Sequence, residues 1–108
     1  MHMLVINFGL KGISEAEYCQ SCERVAPAFA AFPGLLSKVW LANSATNTYG
    51  GIYTFRDRQA MDAYIKSDLF KALTTNPSMV NLSHKDFAVV EAPTRITRGL
   101  AQPDRLSA

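Results

Sequence analysis

The stretch PGLLSKVWLANSATNTYGGIYTFRD, Pro33 to Asp57, constrains this chain more than any other. It reads as two strands joined by a polar hairpin, and both strands are apolar on both faces. Period-two alternation sets Leu35, Ser37, Val39 and Leu41 on one side and Leu36, Lys38 and Trp40 on the other. In the next strand Tyr49, Gly51, Tyr53 and Phe55 oppose Gly50, Ile52 and Thr54. Large side chains on both sides of a strand require cover on both sides. A chain of 108 residues has helices enough for one face. The other face calls for a partner, and a second copy of the same sheet is the natural candidate.

Length allows one domain with a real core, since a chain of this size buries roughly two-thirds of the surface it exposes when unfolded. A hydrophobic fraction of 48% suits a folded globule. The net charge is +2, with acids and bases interspersed, which points to neither nucleic acid nor an anionic membrane. No apolar run approaches the roughly 20 residues that span a bilayer. The start lacks the basic region, apolar core and cleavage site of a signal peptide, so a cytoplasmic protein is expected. Met1-His2-Met3 reads as native sequence or as a cloning remnant, so His2 is not a candidate site residue.

Along the chain the elements follow a βαββαβ order. Met3 to Phe8 forms a strand with Leu4, Ile6 and Phe8 on one face and Met3 and Val5 on the other, Asn7 being its polar exception. Ser14 is an N-cap, and Glu17 three residues on completes a capping box. The helix that follows carries Ala16, Cys19, Val25, Ala26 and Phe29 at near-helical spacing, with Pro27 expected to kink or split it. Pro33-Gly34 ends it.

After the hairpin, Asp57 caps a helix marked by Met61, Tyr64 and Ile65. Ser67 caps a shorter piece carrying Leu69, Phe70 and Leu73, and Asn76-Pro77 breaks it. The last strand covers about Met79 to Glu91. Its apolar parity changes from Val80 and Leu82 to Phe87 and Val89, which predicts a β-bulge near Ser83 to Asp86. Beyond Pro93 no helical or strand period remains. The reading is one domain over residues 1–98 and a mobile tail over 99–108, with Arg95 to Arg98 available to a neighbouring subunit. This order is the ferredoxin-like α+β plait, an antiparallel four-stranded sheet with helices on one face.

PG-x-L-x-KVW followed by GGIY, at this spacing after an N-terminal strand and helix, resembles the YdhR-like family of mono-oxygenases within the dimeric α+β barrel superfamily. The resemblance covers Met3 to about Arg98. It implies a homodimer whose two sheets face each other to close a barrel. It also implies a pocket between sheet and helices in each subunit, and an oxygenase activity.

Candidate site residues are polar side chains on otherwise buried strands, because burying such a group without a partner costs a few kcal/mol. Trp40 stacks on flat ligands and donates an N–H, or else fills a core or a dimer interface. Asn7 orients a substrate carbonyl or satisfies backbone at a strand end. Tyr53 walls a pocket with its hydroxyl inward, or fills the core. His84, the one internal histidine, suits a general base, although a lone strand histidine is more often structural. These four are the candidate catalytic residues. Lys38, on the strand face of Trp40, stabilises a phenolate or pairs with an acid such as Asp86 or Glu91. Ser37, Gly51 and Tyr64 join it as candidate substrate-binding residues. Gly50-Gly51 suggests close approach of a ligand or another backbone, or a bulge.

The pair Cys19 and Cys22 lies inside a helix rather than at the start of one, which argues for two ordinary thiols against a thioredoxin-like site. With His84 as the one further ligand, no zinc site is expected. No phosphate-binding glycine motif or metal-ligand cluster is present, so no cofactor is signalled. The expected function is a cofactor-independent mono-oxygenase acting on a small aromatic, phenolic or polyketide-like substrate. A non-catalytic small-molecule-binding dimer and a polyketide cyclase or isomerase are the alternatives. Haem-degrading relatives of the superfamily ligate iron through a histidine on the second helix, and there is none between Asp57 and Pro77.

Overall fold

A computed structural model describes residues 1–100 of the chain. Strands β1 (His2–Leu10), β2 (Leu35–Asn43), β3 (Thr48–Phe55) and β4 (Met79–Ala88) form one antiparallel sheet in the order β2-β3-β1-β4. Helices α1 (Glu15–Ala30), α2 (Arg58–Ile65) and α3 (Asp68–Thr74) follow in the expected places, and α4 (Glu91–Ile96) is the last element among the described residues. This is the ferredoxin-like α+β plait. Among the described residues, no helix is long and apolar enough to cross a membrane.

Capping residues start the helices as their chemistry dictates. The Ser14 hydroxyl accepts from the Glu17 N–H at 3.1 Å, while the Ser14 N–H donates to the Glu17 carboxylate at 2.9 Å. Asp57 and Ser67 cap α2 and α3 by accepting from the Ala60 and Phe70 N–H groups, without the reciprocal bond. Helix α1 runs unbroken through Pro27 rather than splitting there. The hairpin tip is a short 3₁₀ turn, Ser44–Thr46, closed by Asn47 in the left-handed region.

The core lies between the sheet and α1 to α3. Leu4, Ile6 and Phe8 of β1 face the helices beside Tyr49, Tyr53 and Phe55 of β3, and all six are buried. Tyr64 of α2 is the hub, its ring 5.1 Å from Tyr53, 5.5 Å from Phe70 and 5.7 Å from both Phe32 and Phe55. On the opposite sheet face Val39 is 55% exposed and Phe87 52%.

Several boundaries differ from the reading of the sequence, each for a physical reason. The extra residue of β4 falls at Asn81–Leu82, just ahead of the predicted span, with Asn81 taking the left-handed conformation. A second irregularity at Leu36 turns Leu35 toward the helices, opposite Phe55, whereas strict alternation sets it with Val39. The inward stripe of α1 is the buried Tyr18 and Phe29 with the half-buried Cys22 between them, while Ala16 and Cys19 are exposed. The chain after Ala88 turns helical, because Pro93 sits in the first turn of α4 where its missing N–H is no loss. Residues 101–108 of the expected tail lie outside the described residues. Leu100 is buried, and the Gly99 N–H donates to the Thr94 carbonyl at 2.8 Å.

Candidate active site

Between β2, β3, α1 and α3 lies a cavity of about 180 Å³. Aromatic walls come from Phe8, Tyr18, Phe29, Trp40 and Tyr53, and Leu69, Leu73 and Met79 close the side toward α3. For scale, a dry cavity of about 150 Å³ in an engineered protein interior takes up benzene. The polar groups on the wall are few: the Lys38 amine, the Cys22 thiol, the hydroxyls of Tyr18, Tyr53 and Ser21, and Asn76.

Lys38 dominates the chemistry of this space. Its Nζ lies 3.4 Å from the centre of the Trp40 ring system, 3.5 Å from that of Phe29 and 4.6 Å from that of Tyr53. Three ring faces surround the amine. Register explains the arrangement: Lys38 stands opposite Tyr53, and Trp40 opposite Gly51, on the helix side of the sheet. A Cβ on Gly51 would lie 3.1 Å from Lys38 Cε, so the bare glycine gives the lysine stem its track. Gly50 serves another purpose. Its positive φ brings the backbone so close to Ile6 that a side chain would collide with the Ile6 carbonyl.

Burial pulls the Lys38 amine down to about 7, with the nearby Cys22 side chain as the weaker opposing influence. Desolvation in an apolar site disfavours the ammonium, and this is the usual way a lysine becomes basic and nucleophilic near neutrality. Aromatic faces offset part of that cost, because a desolvated cation–π contact is worth about 2 kcal/mol or more. Burial also holds the Tyr18 and Tyr53 phenols in their protonated form and pushes Tyr64 up to about 12. Cys22 is raised by burial as well. At neutral pH the cavity therefore holds an amine poised between two states among neutral hydroxyls and a neutral thiol.

Trp40, Tyr53 and Lys38 share this wall, and the other sequence candidates stand elsewhere. Tyr64 lies behind Tyr53, its hydroxyl donating to the Tyr53 hydroxyl at 3.3 Å inside the aromatic core. Gly51 shapes the lysine track and does not line the cavity. Ser37 is opposite Thr54, on the far sheet face. Asn7 is on that far face too, opposite Gly50 and Ser83, where its amide donates to the Tyr49 carbonyl at 3.4 Å. Period two puts Asn7 with Met3 and Val5, so it does not work beside Trp40 within one protomer. His84 is on the helix side opposite Ile6, but its ring packs edge-on against Phe70 at 5.7 Å and does not reach the cavity. Lys38 takes neither suggested carboxylate partner. Asp86 holds the His2 ring at 2.6 Å, and Glu91 holds the Met1 ammonium at 2.9 Å.

Reading the sequence misses Tyr18, Cys22 and Phe29 as cavity residues. Their signal is present: positions 18, 22, 25 and 29 make a helical stripe.

The family described as putative mono-oxygenase ydhR matches residues 3–100, and the chain belongs to that family. No curated protein matches the chain in sequence. Solved structures share its fold. NE2512 of Nitrosomonas europaea, a protein of unknown function, superposes with a TM-score of 0.71 at 18% identity, over 84% of this chain and 90% of that one. SnoaB of Streptomyces nogalater, a cofactor-independent oxygenase, gives 0.67 at 22% identity, over 84% and 94%. The heme-degrader MhuD of Mycobacterium tuberculosis, with two hemes bound in its active site, gives 0.67 at 18% identity, over 83% and 96%.

Proposed function

We propose that this protein is a cofactor-independent mono-oxygenase that takes a small phenolic or polyketide-like aromatic substrate into the cavity beside Lys38. The observation that carries this reading is the Lys38 amine, desolvated among three aromatic faces and opening onto a mostly apolar cavity of about 180 Å³. Membership of a mono-oxygenase family and a fold shared with a cofactor-independent oxygenase support it.

The substrate ring lies against Trp40 and its hydroxyl reaches Nζ. The neutral amine accepts the phenolic proton, which leaves an ammonium caged by the rings and a phenolate in front of it. In so apolar a site the attraction between ammonium and phenolate is stronger than in water and offsets part of the cost of creating the two charges. The phenolate gives one electron to dioxygen, and the resulting radical pair recombines at a ring carbon bearing hydrogen. Loss of water from the hydroperoxide leaves a quinone. One oxygen atom enters the product and the other departs as water, so the substrate supplies all the electrons. Lys38 holds the proton in between. The hydroxyls of Tyr18 and Tyr53 remain protonated.

Haem does not fit these residues. Helices α2 and α3 carry no histidine, and a porphyrin far exceeds a cavity close to benzene in size. No step of the proposed reaction uses one.

Each protomer pairs with a second copy through the open sheet face, where Met3, Val5, Val39, Leu41, Ile52 and Phe87 lie together. That pairing closes the barrel. The protein acts in the cytoplasm, where Cys19 and Cys22 stay as free thiols.

Oxygen consumption with hydroquinone, catechol and other single-ring phenols tests the assignment. Stoichiometric uptake of dioxygen with quinone formation, lost in Lys38→Met and Trp40→Phe, is the expected result. Turnover that persists without dioxygen would identify a cyclase or isomerase. Saturable binding of phenols with no turnover would identify a binding protein.

A further inference from the structure

We propose that the Lys38 amine is also a nucleophile, and that a small aromatic aldehyde entering the cavity condenses with it to a Schiff base. This goes beyond proton transfer, because it makes the cavity a covalent site for a second class of ligand. Geometry carries it. Nζ is on the cavity wall, and its nearest neighbours are the Phe29, Trp40 and Tyr53 rings rather than a carboxylate. The carboxylates of Asp86 and Glu91 are committed to His2 and Met1. A lysine held this way in an apolar pocket meets the usual requirement for Schiff-base chemistry.

Selectivity follows from the same walls. An arylaldehyde of one ring fits a cavity of about 180 Å³. Its ring is received by the Phe8, Tyr18 and Leu73 walls while the carbonyl carbon meets Nζ. In the condensation a C–N bond forms, the carbonyl oxygen leaves with the two amine hydrogens as water, and a C=N bond remains. No oxidant or reductant is needed. The lowered basicity of Lys38 supplies neutral amine at neutral pH, whereas a lysine side chain in water is almost wholly protonated there.

Reductive trapping tests this on the intact protein. Benzaldehyde and cyanoborohydride are added near neutral pH without dioxygen, and the modified chain is mapped by peptide mass. The expected result is preferential benzylation of Lys38 among the lysines, with Lys11, Lys66, Lys71 and Lys85 at least about tenfold slower and the Met1 α-amine scored separately. A polycyclic aldehyde too large for the cavity is expected to show no preference for Lys38. Lys38→Arg removes the preferred adduct. Should that variant fail to fold, the size comparison on the natural protein still decides. Label spread evenly over the lysines, or Lys38 modified as fast by the large aldehyde as by benzaldehyde, overturns the proposal. Because trapping needs neither dioxygen nor an ionised phenol, it stands or falls apart from the oxygenase reading.

Discussion

The stem of Lys38 crosses Gly51 so closely that a methyl group on the glycine would sit 3.1 Å from Lys38 Cε and 3.3 Å from Tyr53 Cε1. A strand glycine normally weakens a sheet, so a missing side chain here has a specific use. Gly51→Ala is expected to fold but to push the amine out of its aromatic cage. Misplacing a reacting group by about 1 Å costs on the order of 100-fold in rate. A loss of about 10- to 100-fold in kcat/KM, with little change in thermal midpoint, is the expected outcome. Unchanged turnover would show that the lysine track has no bearing on catalysis.

A base that must be neutral leaves its mark on the rate profile. With the Lys38 amine near 7, kcat/KM for a phenolic substrate rises with pH through that value and levels above it. Lys38→Met removes this limb and lowers the rate by about 100- to 10,000-fold. A limb that survives in Lys38→Met belongs to another group, and Lys38 would lose its role.

The same amine makes the fold less stable than it needs to be. Its folded pKa is depressed, so the unfolded chain binds a proton that the folded chain releases between about 7 and the ordinary lysine value near 10.4. Below 7 both states are protonated and the folded state carries the full penalty. The penalty fades as pH rises toward 10.4. Lys38→Met is therefore expected to raise the thermal midpoint most at neutral and acidic pH, where each 1 kcal/mol is worth about 4–8 °C in a domain of this size. Its advantage should vanish in strong alkali. Calorimetry across that range reads it directly, and a destabilised Lys38→Met at pH 6 contradicts the sign.

Much of this site is legible in the amino-acid sequence. Alternation puts Lys38 and Trp40 on one strand face, and the large residues on both sheet faces show that two layers of cover are needed. The caps at Ser14, Asp57 and Ser67 follow from local chemistry alone. What a linear reading misses is the choice among polar residues. Asn7 attracts attention because it interrupts an apolar strand, yet the same alternation sets it with Met3 and Val5, away from the helices. His84 attracts it by chemical type, and Phe70 occupies its ring. The cage around Lys38 needs α1, β2 and β3 to converge, and no window of sequence contains all three. Leu35 and Asn81 show a further limit, since one extra residue in a strand reverses parity for everything beyond it.

The exposed side chains Val39 and Phe87 lie on the face turned away from the helices, at 55% and 52% exposure in the protomer. A charge there costs the protomer little and sets like charges against each other across a twofold interface. Val39→Asp is expected to leave the fold intact and weaken self-association by at least about 100-fold, a change of several kcal/mol. Light scattering at micromolar concentration should report a dimer for the natural protein and a monomer for the variant. A natural protein that remains a solitary protomer under these conditions removes the barrel.

Beside Phe87 on β4, Asp86 holds the buried His2 ring at 2.6 Å, which ties the start of β1 to its neighbour. The His2 hydrogen bond keeps the Asp86 carboxyl below the usual carboxylate range. A depressed carboxylate contributes stability above its unfolded value, and that stability is lost as pH falls through the folded one. Asp86→Asn is expected to lower the thermal midpoint at neutral pH, with the gap to the natural protein closing in acid. Because the pair is far from the Lys38 cavity, turnover of the folded variant should stay within about twofold of the natural protein, as expected for distant, independent sites. A gap that persists undiminished in strong acid would mean that the carboxylate charge contributes nothing, leaving only shape and the hydrogen-bond skeleton at that corner.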